Sequence, residues 1–86
     1  MKVLELINIL NELPPELDVI LQKDSEGNGF SPLEGVDGNC IYAADSTWSG
    51  EVFSTDWSAD DADMDEKEWQ DFKKDNLKVV VLYPIN

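Results

Sequence analysis

Leu77-Lys78-Val79-Val80-Val81-Leu82-Tyr83 is the stretch that decides the fold, because it is almost continuously apolar and rich in β-branched residues. Such side chains favour strands, and a strand without polar alternation is covered on both faces or lies in the middle of a sheet. Pro84 follows, and we expect it to end the strand. Residues 77–83 therefore predict an interior strand, around which the other elements must be arranged.

Two shorter strands precede this one. Residues 40–44 and 51–54 each have strand composition, and the polar loop between them favours a hairpin. Residues 30–38, just before, are predicted to be irregular or an edge strand, because Pro32 has no N–H to donate to a ladder.

The first residues of the chain predict an amphipathic helix, since apolar side chains recur at three- and four-residue spacing: Val3, Leu6, Ile7, Leu10 and Leu13. Pro14 disfavours the helical conformation for the residue before it, so we expect the helix to stop at Leu13. Residues 17–23 alternate with period two, which predicts a strand whose buried face is formed by Leu17, Val19 and Leu21. The glycines in residues 24–29 predict a hairpin-like return.

Residues 64–75 predict a second helix with a narrow apolar face formed by Met64, Trp69 and Phe72. Asp63 and Glu66 have the spacing of a capping box, and Lys73 and Lys74 complement the helix dipole in the last turn. The sum is an α+β fold in the order α-β-β-β-α-β. We expect a small single domain over residues 1–86, with an antiparallel or mixed sheet and helices packed on one face.

The composition excludes several classes of function. Nineteen acidic residues stand against six lysines, with no Arg and no His, which gives a net charge of -13. This balance opposes direct binding to nucleic acid or to an anionic membrane. Without His, a nucleophile lacks its usual base, so we expect no enzymatic activity, no cofactor and no metal centre. Cys40 is the only cysteine and is expected to be a buried, inert thiol of a cytoplasmic protein.

The acidic charge is concentrated in one segment. Residues 56–71 hold eight carboxylates and one lysine, or seven of the thirteen net negative charges. Trp57 lies in this segment, and its ring is either packed under the loop or exposed as an apolar anchor. Trp48 has the same two alternatives. Trp69 is expected in the core. The predicted partner-binding residues are Asp56, Trp57, Asp60, Asp61, Asp63, Asp65, Glu66, Glu68 and Asp71.

Three stretches carry a resemblance to a known group of proteins: LELINILNELPP at residues 4–15, followed by Val19, then DSEGNGFSPL at 24–33 and VVVLYP at 79–84. Together they resemble short acidic accessory proteins of tailed bacteriophages. The resemblance implies a protein of the host-cell cytoplasm that inhibits host defence, as anti-restriction and anti-CRISPR proteins do when they occupy DNA-binding surfaces. The expected partner is then the basic surface of a host DNA-processing or defence protein, bound by DNA mimicry.

Other hypotheses stay open at this point. The chain is alternatively a homo-oligomeric module, such as a homodimer formed by strand edges, with its acid serving only solubility. A third hypothesis is weak cation binding at the acid cluster of residues 61–65, which, like residues 24–29, begins like a calcium loop. Both loops lack the bidentate Glu at the twelfth position, where Phe72 and Gly35 stand.

Overall fold

The computed structural model describes residues 1–23 and 29–85. Two helices and four strands are present in these residues, in the predicted order α-β-β-β-α-β, and the strands form one mixed sheet. The α+β class is therefore confirmed. The order of the strands across the sheet is β1-β4-β2-β3. The elements are α1 (Val3–Asn11), β1 (Asp18–Leu21), β2 (Leu33–Ala44), β3 (Gly50–Ser54), α2 (Glu66–Asp75) and β4 (Leu77–Pro84).

The chain divides into two compact units. The terminal unit comprises Met1–Gly38 and Val80–Asn86, and the central unit comprises Asn39–Val79. The single domain predicted over residues 1–86 stays a prediction. The predicted return at residues 24–29 lies almost entirely outside the described residues.

Strand β4 fulfils the prediction made from its composition. It lies between β1 and β2 in the sheet, and three consecutive residues are buried: Val79, Val80 and Val81. Because consecutive residues of a strand point to opposite faces, this burial requires cover on both faces. The continuous apolar stretch thus marked the interior strand correctly.

The predicted hairpin is also confirmed, since β2 and β3 pair antiparallel with Ile41 opposite Phe53. The prediction for residues 30–38 is wrong in part, because Leu33 to Gly38 belong to β2, which lies inside the sheet. Pro32 precedes the first strand residue, so its missing N–H costs the ladder nothing, and its carbonyl still accepts from the N–H of Ile85 at 3.2 Å.

In the terminal unit, α1 ends at Asn11, two residues before the predicted stop at Leu13. The backbone N–H of Glu12 donates to the Ile9 carbonyl at 3.2 Å and that of Leu13 to the Leu10 carbonyl at 3.1 Å, which caps the helix. Leu13 instead packs over Gly38, where any Cβ would lie 2.5 Å from a Leu13 methyl carbon. No side chain of α1 is buried, and Val3 is 76% exposed.

The predicted buried face of β1 is wrong. Val19 and Leu21 are 57% and 68% exposed, whereas Ile20, from the opposite face, is half-buried. Alternation shows which side chains share a face of a strand, but it does not show which of the two faces the rest of the chain covers. The strand is also shorter than predicted, at four residues.

Candidate functional site

The acidic segment, residues 56–71, is fixed to the core of the central unit by one tryptophan. Trp69 is 1% exposed and packs with three further buried side chains, Ile41, Ala59 and Ala62. Its indole Nε1–H donates to the backbone carbonyl of Trp57 at 3.0 Å. This bond ties α2 to the turn twelve residues earlier in the chain, so the segment has a defined position. The prediction that Trp69 belongs to the core is confirmed.

The turns that precede α2 bury their apolar side chains and expose their acidic ones. Ala59 and Ala62 are buried against the core, whereas the aspartates between and beside them are exposed: Asp60, Asp61 and Asp63. Ser58 and Asp61 bond reciprocally, with the Ser58 N–H donating to Asp61 Oδ2 at 3.0 Å and the Asp61 N–H donating to Ser58 Oγ at 3.2 Å. Small residues thus bring the backbone close to the core while the carboxylates point into solvent.

The capping box of α2 lies two residues later than predicted. The N-cap is Asp65, whose Oδ1 accepts from the Glu68 N–H at 2.8 Å, while Glu68 Oε1 accepts from the Asp65 N–H at 3.3 Å. The predicted pair of Asp63 and Glu66 is therefore wrong. Asp63 has a φ of 57°, a left-handed conformation, whereas an N-cap residue is extended. The predicted helix start at Met64 is wrong for the same reason, since α2 begins at Glu66.

All eight carboxylates of the acidic segment are exposed. Within the described residues, three of them accept no side-chain hydrogen bond: those of Asp56, Asp60 and Asp63. The other five bond to neighbouring residues. Asp61 accepts from the Ser58 N–H, and Asp65 and Glu68 form the capping box. Glu66 accepts from Gln70 at 2.9 Å, and Asp71 pairs with Lys67 at 3.3 Å. The acid is therefore accessible, and three carboxylates are not committed to local structure.

The charge is unevenly distributed along this part of the chain. Helix α2 carries four acids and three lysines, so its own net charge is only -1. The turn-rich stretch from Asp56 to Asp65 carries five acids and no lysine. Lys73 and Lys74 occupy the last turn of α2, as predicted. The negative surface is thus concentrated before α2 and over its first turn.

Trp57 is both packed against the protein and exposed to solvent, the two alternatives that the sequence left open. The residue is 39% exposed, and its ring makes an edge contact with Phe53 at a centroid distance of 5.7 Å. Trp48, in the loop between β2 and β3, is 76% exposed. Trp57 is thus both packed and accessible beside the acidic turns, which suits an apolar contact at the margin of a charged interface.

The described residues contain no group of three or more Asp, Glu, Cys or His side chains placed to hold a metal ion. The calcium-like start at Asp24 lies outside the part of the chain that the structure describes. Cys40 is buried, in agreement with its sequence context. Among the described residues, no helix is long and apolar enough to cross a membrane.

No protein-family model, no curated protein and no solved structure matches the chain. The resemblance to phage accessory proteins therefore stays a prediction, and the proposals below depend on the chain's own residues.

Proposed function

We propose that the protein acts without catalysis, by binding a basic surface of another protein through its acidic segment. The observation that carries the proposal is the exposure of all eight carboxylates, on turns and a helix held by the Trp69 core. A fixed anionic surface attracts a cationic partner at long range and aligns it on contact. The partner class we favour is a host DNA-processing or defence protein in the cytoplasm, whose DNA-binding surface the segment would occupy.

The charge density of the segment supports DNA mimicry over a short length. Residues 56–68 hold seven acids and one lysine. B-DNA presents about one charge per 1.7 Å of axis, so roughly 10 Å of duplex carries six phosphates. The net charge of -6 in residues 56–68 therefore matches about three base pairs, or roughly a third of a helical turn, and the contact must be completed by other residues. Trp57, half-exposed beside this charge, supplies an apolar contact.

The first experiment asks whether a captured partner is bound in place of DNA. The immobilised protein is incubated with a bacterial lysate at low salt, and bound proteins are challenged with duplex DNA. We expect duplex DNA to release the specific partner, because both ligands compete for one basic surface. A partner that stays bound under excess duplex would contradict mimicry.

The structure supplies a variant that removes charge without disturbing the fold. Asp56→Asn, Asp60→Asn and Asp63→Asn together alter only carboxylates that accept no hydrogen bond within the described residues. Asn also tolerates the left-handed backbone at position 63. Exposed charge pairs contribute about 0.2–1 kcal/mol each. We therefore expect the triple variant to bind the partner at least about threefold more weakly.

The matched control neutralises three exposed acids of the terminal unit, Glu12→Gln, Glu16→Gln and Glu34→Gln. Its net charge equals that of the triple Asn variant. Binding that weakens equally in both variants would show a response to total charge only, and the acidic segment would not be the interface.

A second candidate function is self-association, and the exposed apolar side chains of the terminal unit favour it. Strand β1 lies at one end of the sheet formed by the described residues, and it exposes Val19 and Leu21. An uncovered edge of this kind pairs readily with a second copy of the same strand. Val3 and Leu4 of α1 are also mostly exposed, at 76% and 67%.

Light scattering separates the two functions. A homodimer that forms through apolar edges should keep its mass as salt rises, and Leu21→Lys should shift it toward monomer. Dissociation at high salt, or an unchanged mass in Leu21→Lys, would contradict pairing through β1.

A further inference from the structure

The central unit contains an open cleft of about 340 Å³ whose charged lining residues are all lysines. Its volume lies at the lower end of the range of small-molecule sites, roughly 300–1,000 Å³. Residues from four parts of the chain converge on it: Ile41 of β2, Thr55 after β3, Gln70, Lys73 and Lys74 of α2, and Lys78 of β4. The cleft is thus assembled by the fold rather than by one local segment.

The lining is unusual for this chain. Three of the six lysines line the cleft, while no acidic residue in the described part of the chain does. Thr55 adds a hydroxyl, and Gln70 adds the second N–H of an amide whose Nε2 already donates to Glu66 at 2.9 Å. No ion pair to a carboxylate is formed by Lys73, Lys74 or Lys78 among the described residues. The cleft therefore gathers donors and positive charge in a protein that is otherwise strongly anionic.

Stabilisation of α2 does not account for all of this charge. Cations near a helix C-terminus offset the helix dipole, which explains Lys73 and Lys74. Lys78 lies on a different element, however, and the α2 terminus is already capped by Asn76. Both the backbone N–H and the side-chain Nδ2 of Asn76 donate to the Phe72 carbonyl, at 3.1 and 2.9 Å.

One of the three lysines is held in place. The Lys73 ammonium lies 5.3 Å from the centre of the buried Trp69 ring, a cation–π distance. Because Trp69 is fixed by its own hydrogen bond, Lys73 has less freedom to lose when a ligand binds. This is partial preorganisation of a cationic site.

We propose that this cleft binds a phosphate group, free or carried by a small phosphomonoester. Three ammonium groups suit a doubly charged oxyanion better than a monocarboxylate, and lysine binds phosphate as a point charge. The volume exceeds that of a lone phosphate, which leaves room for a small ester substituent. This site is separate from the acidic segment and does not depend on the function proposed for it.

The test is an NMR titration of the full chain at constant, low ionic strength with three probes: inorganic phosphate, glycerol phosphate and acetate. We expect saturable shifts at the Gln70 side-chain amide, the Thr55 amide and the lysine ε-methylenes, with a Kd on the order of 1 mM for phosphate. Glycerol phosphate binding more tightly than inorganic phosphate would identify an ester-borne ligand, and the reverse order would identify free phosphate. Either order supports the site. Equal affinity for acetate, or no saturable shift with either phosphate probe, would overturn it.

Two pairs of variants localise the effect. Lys74→Gln with Lys78→Gln should weaken phosphate binding about tenfold, and Lys74→Arg with Lys78→Arg should restore it. Both lysines are exposed, so their replacement leaves the fold intact, and circular dichroism checks this. The charge-matched control is Lys2→Gln with Lys23→Gln, two exposed lysines that do not line the cleft, which should change the Kd by less than twofold. If the control weakens binding as much as the cleft variant does, the anion responds to total charge and the cleft is not its site.

Discussion

Trp69→Phe tests how firmly the acidic segment is held. The substitution removes the indole N–H that donates to the Trp57 carbonyl and shrinks a side chain that is 1% exposed. A net hydrogen bond contributes about 0.5–1.5 kcal/mol to the free energy of unfolding. The smaller ring buries roughly 40 Å² less apolar surface, or about 1 kcal/mol, before any cavity cost. We therefore expect a loss of about 2–3 kcal/mol.

An 86-residue chain has a free energy of unfolding of about 4–13 kcal/mol, so Trp69→Phe should fold while Trp69→Ala approaches the limit. Urea denaturation followed by circular dichroism measures the change through the midpoint at constant slope. Trp57→Phe is the comparison, because the backbone carbonyl that accepts the bond is kept and the ring is already partly exposed. A loss below about 0.5 kcal/mol for Trp69→Phe would refute the view that this residue anchors the segment.

Two further predictions concern the backbone. Asp65→Ala should lower the free energy of unfolding by about 1 kcal/mol, whereas Asp65→Asn should lower it by a few tenths at most, because Asn keeps the N-cap acceptor. Equal losses in the two variants would argue against the capping box at Asp65. Gly50→Ala should destabilise the hairpin by about 1–3 kcal/mol, because a Cβ there would lie 2.6 Å from the Ala43 carbonyl oxygen, which is backbone and cannot turn away. Gly29→Ala, with no atom within 4 Å of the added Cβ, should change thermal stability little, and a loss equal to that of Gly50→Ala would contradict the steric argument.

Much of the fold could be predicted from periodicity and composition. The stretch at 77–83 had one reasonable interpretation, because a continuous β-branched stretch needs cover on both faces. The β2–β3 hairpin followed from two short strands and a polar loop. The errors arose where a local pattern allowed two solutions. Asp63 with Glu66 and Asp65 with Glu68 have the same capping-box spacing. The local pattern does not show that the backbone at Asp63 is left-handed, which leaves the extended Asp65 as the N-cap.

The exposure of the candidate site could be predicted from the sequence, but its internal bonds could not. Carboxylates are seldom buried, so the exposure of the acidic segment follows from its composition. The sequence does not show which carboxylates are engaged, because the bond of Ser58 to Asp61 depends on the turn geometry. It also gave no sign of the lysine cleft. Thr55, Gln70 and Lys78 are far apart along the chain, and only the fold brings them together.

The central claim is that the exposed acid of residues 56–71 makes the contact with a basic partner. The most direct measurement is the Kd of the captured partner for the wild-type chain, the triple Asn variant and the charge-matched triple Gln control, each at low and at physiological salt. We expect the triple Asn variant to bind more weakly than the control, and its affinity to depend less on salt, because fewer charge pairs form at the interface. Equal affinities and equal salt dependence for the two variants would contradict the claim.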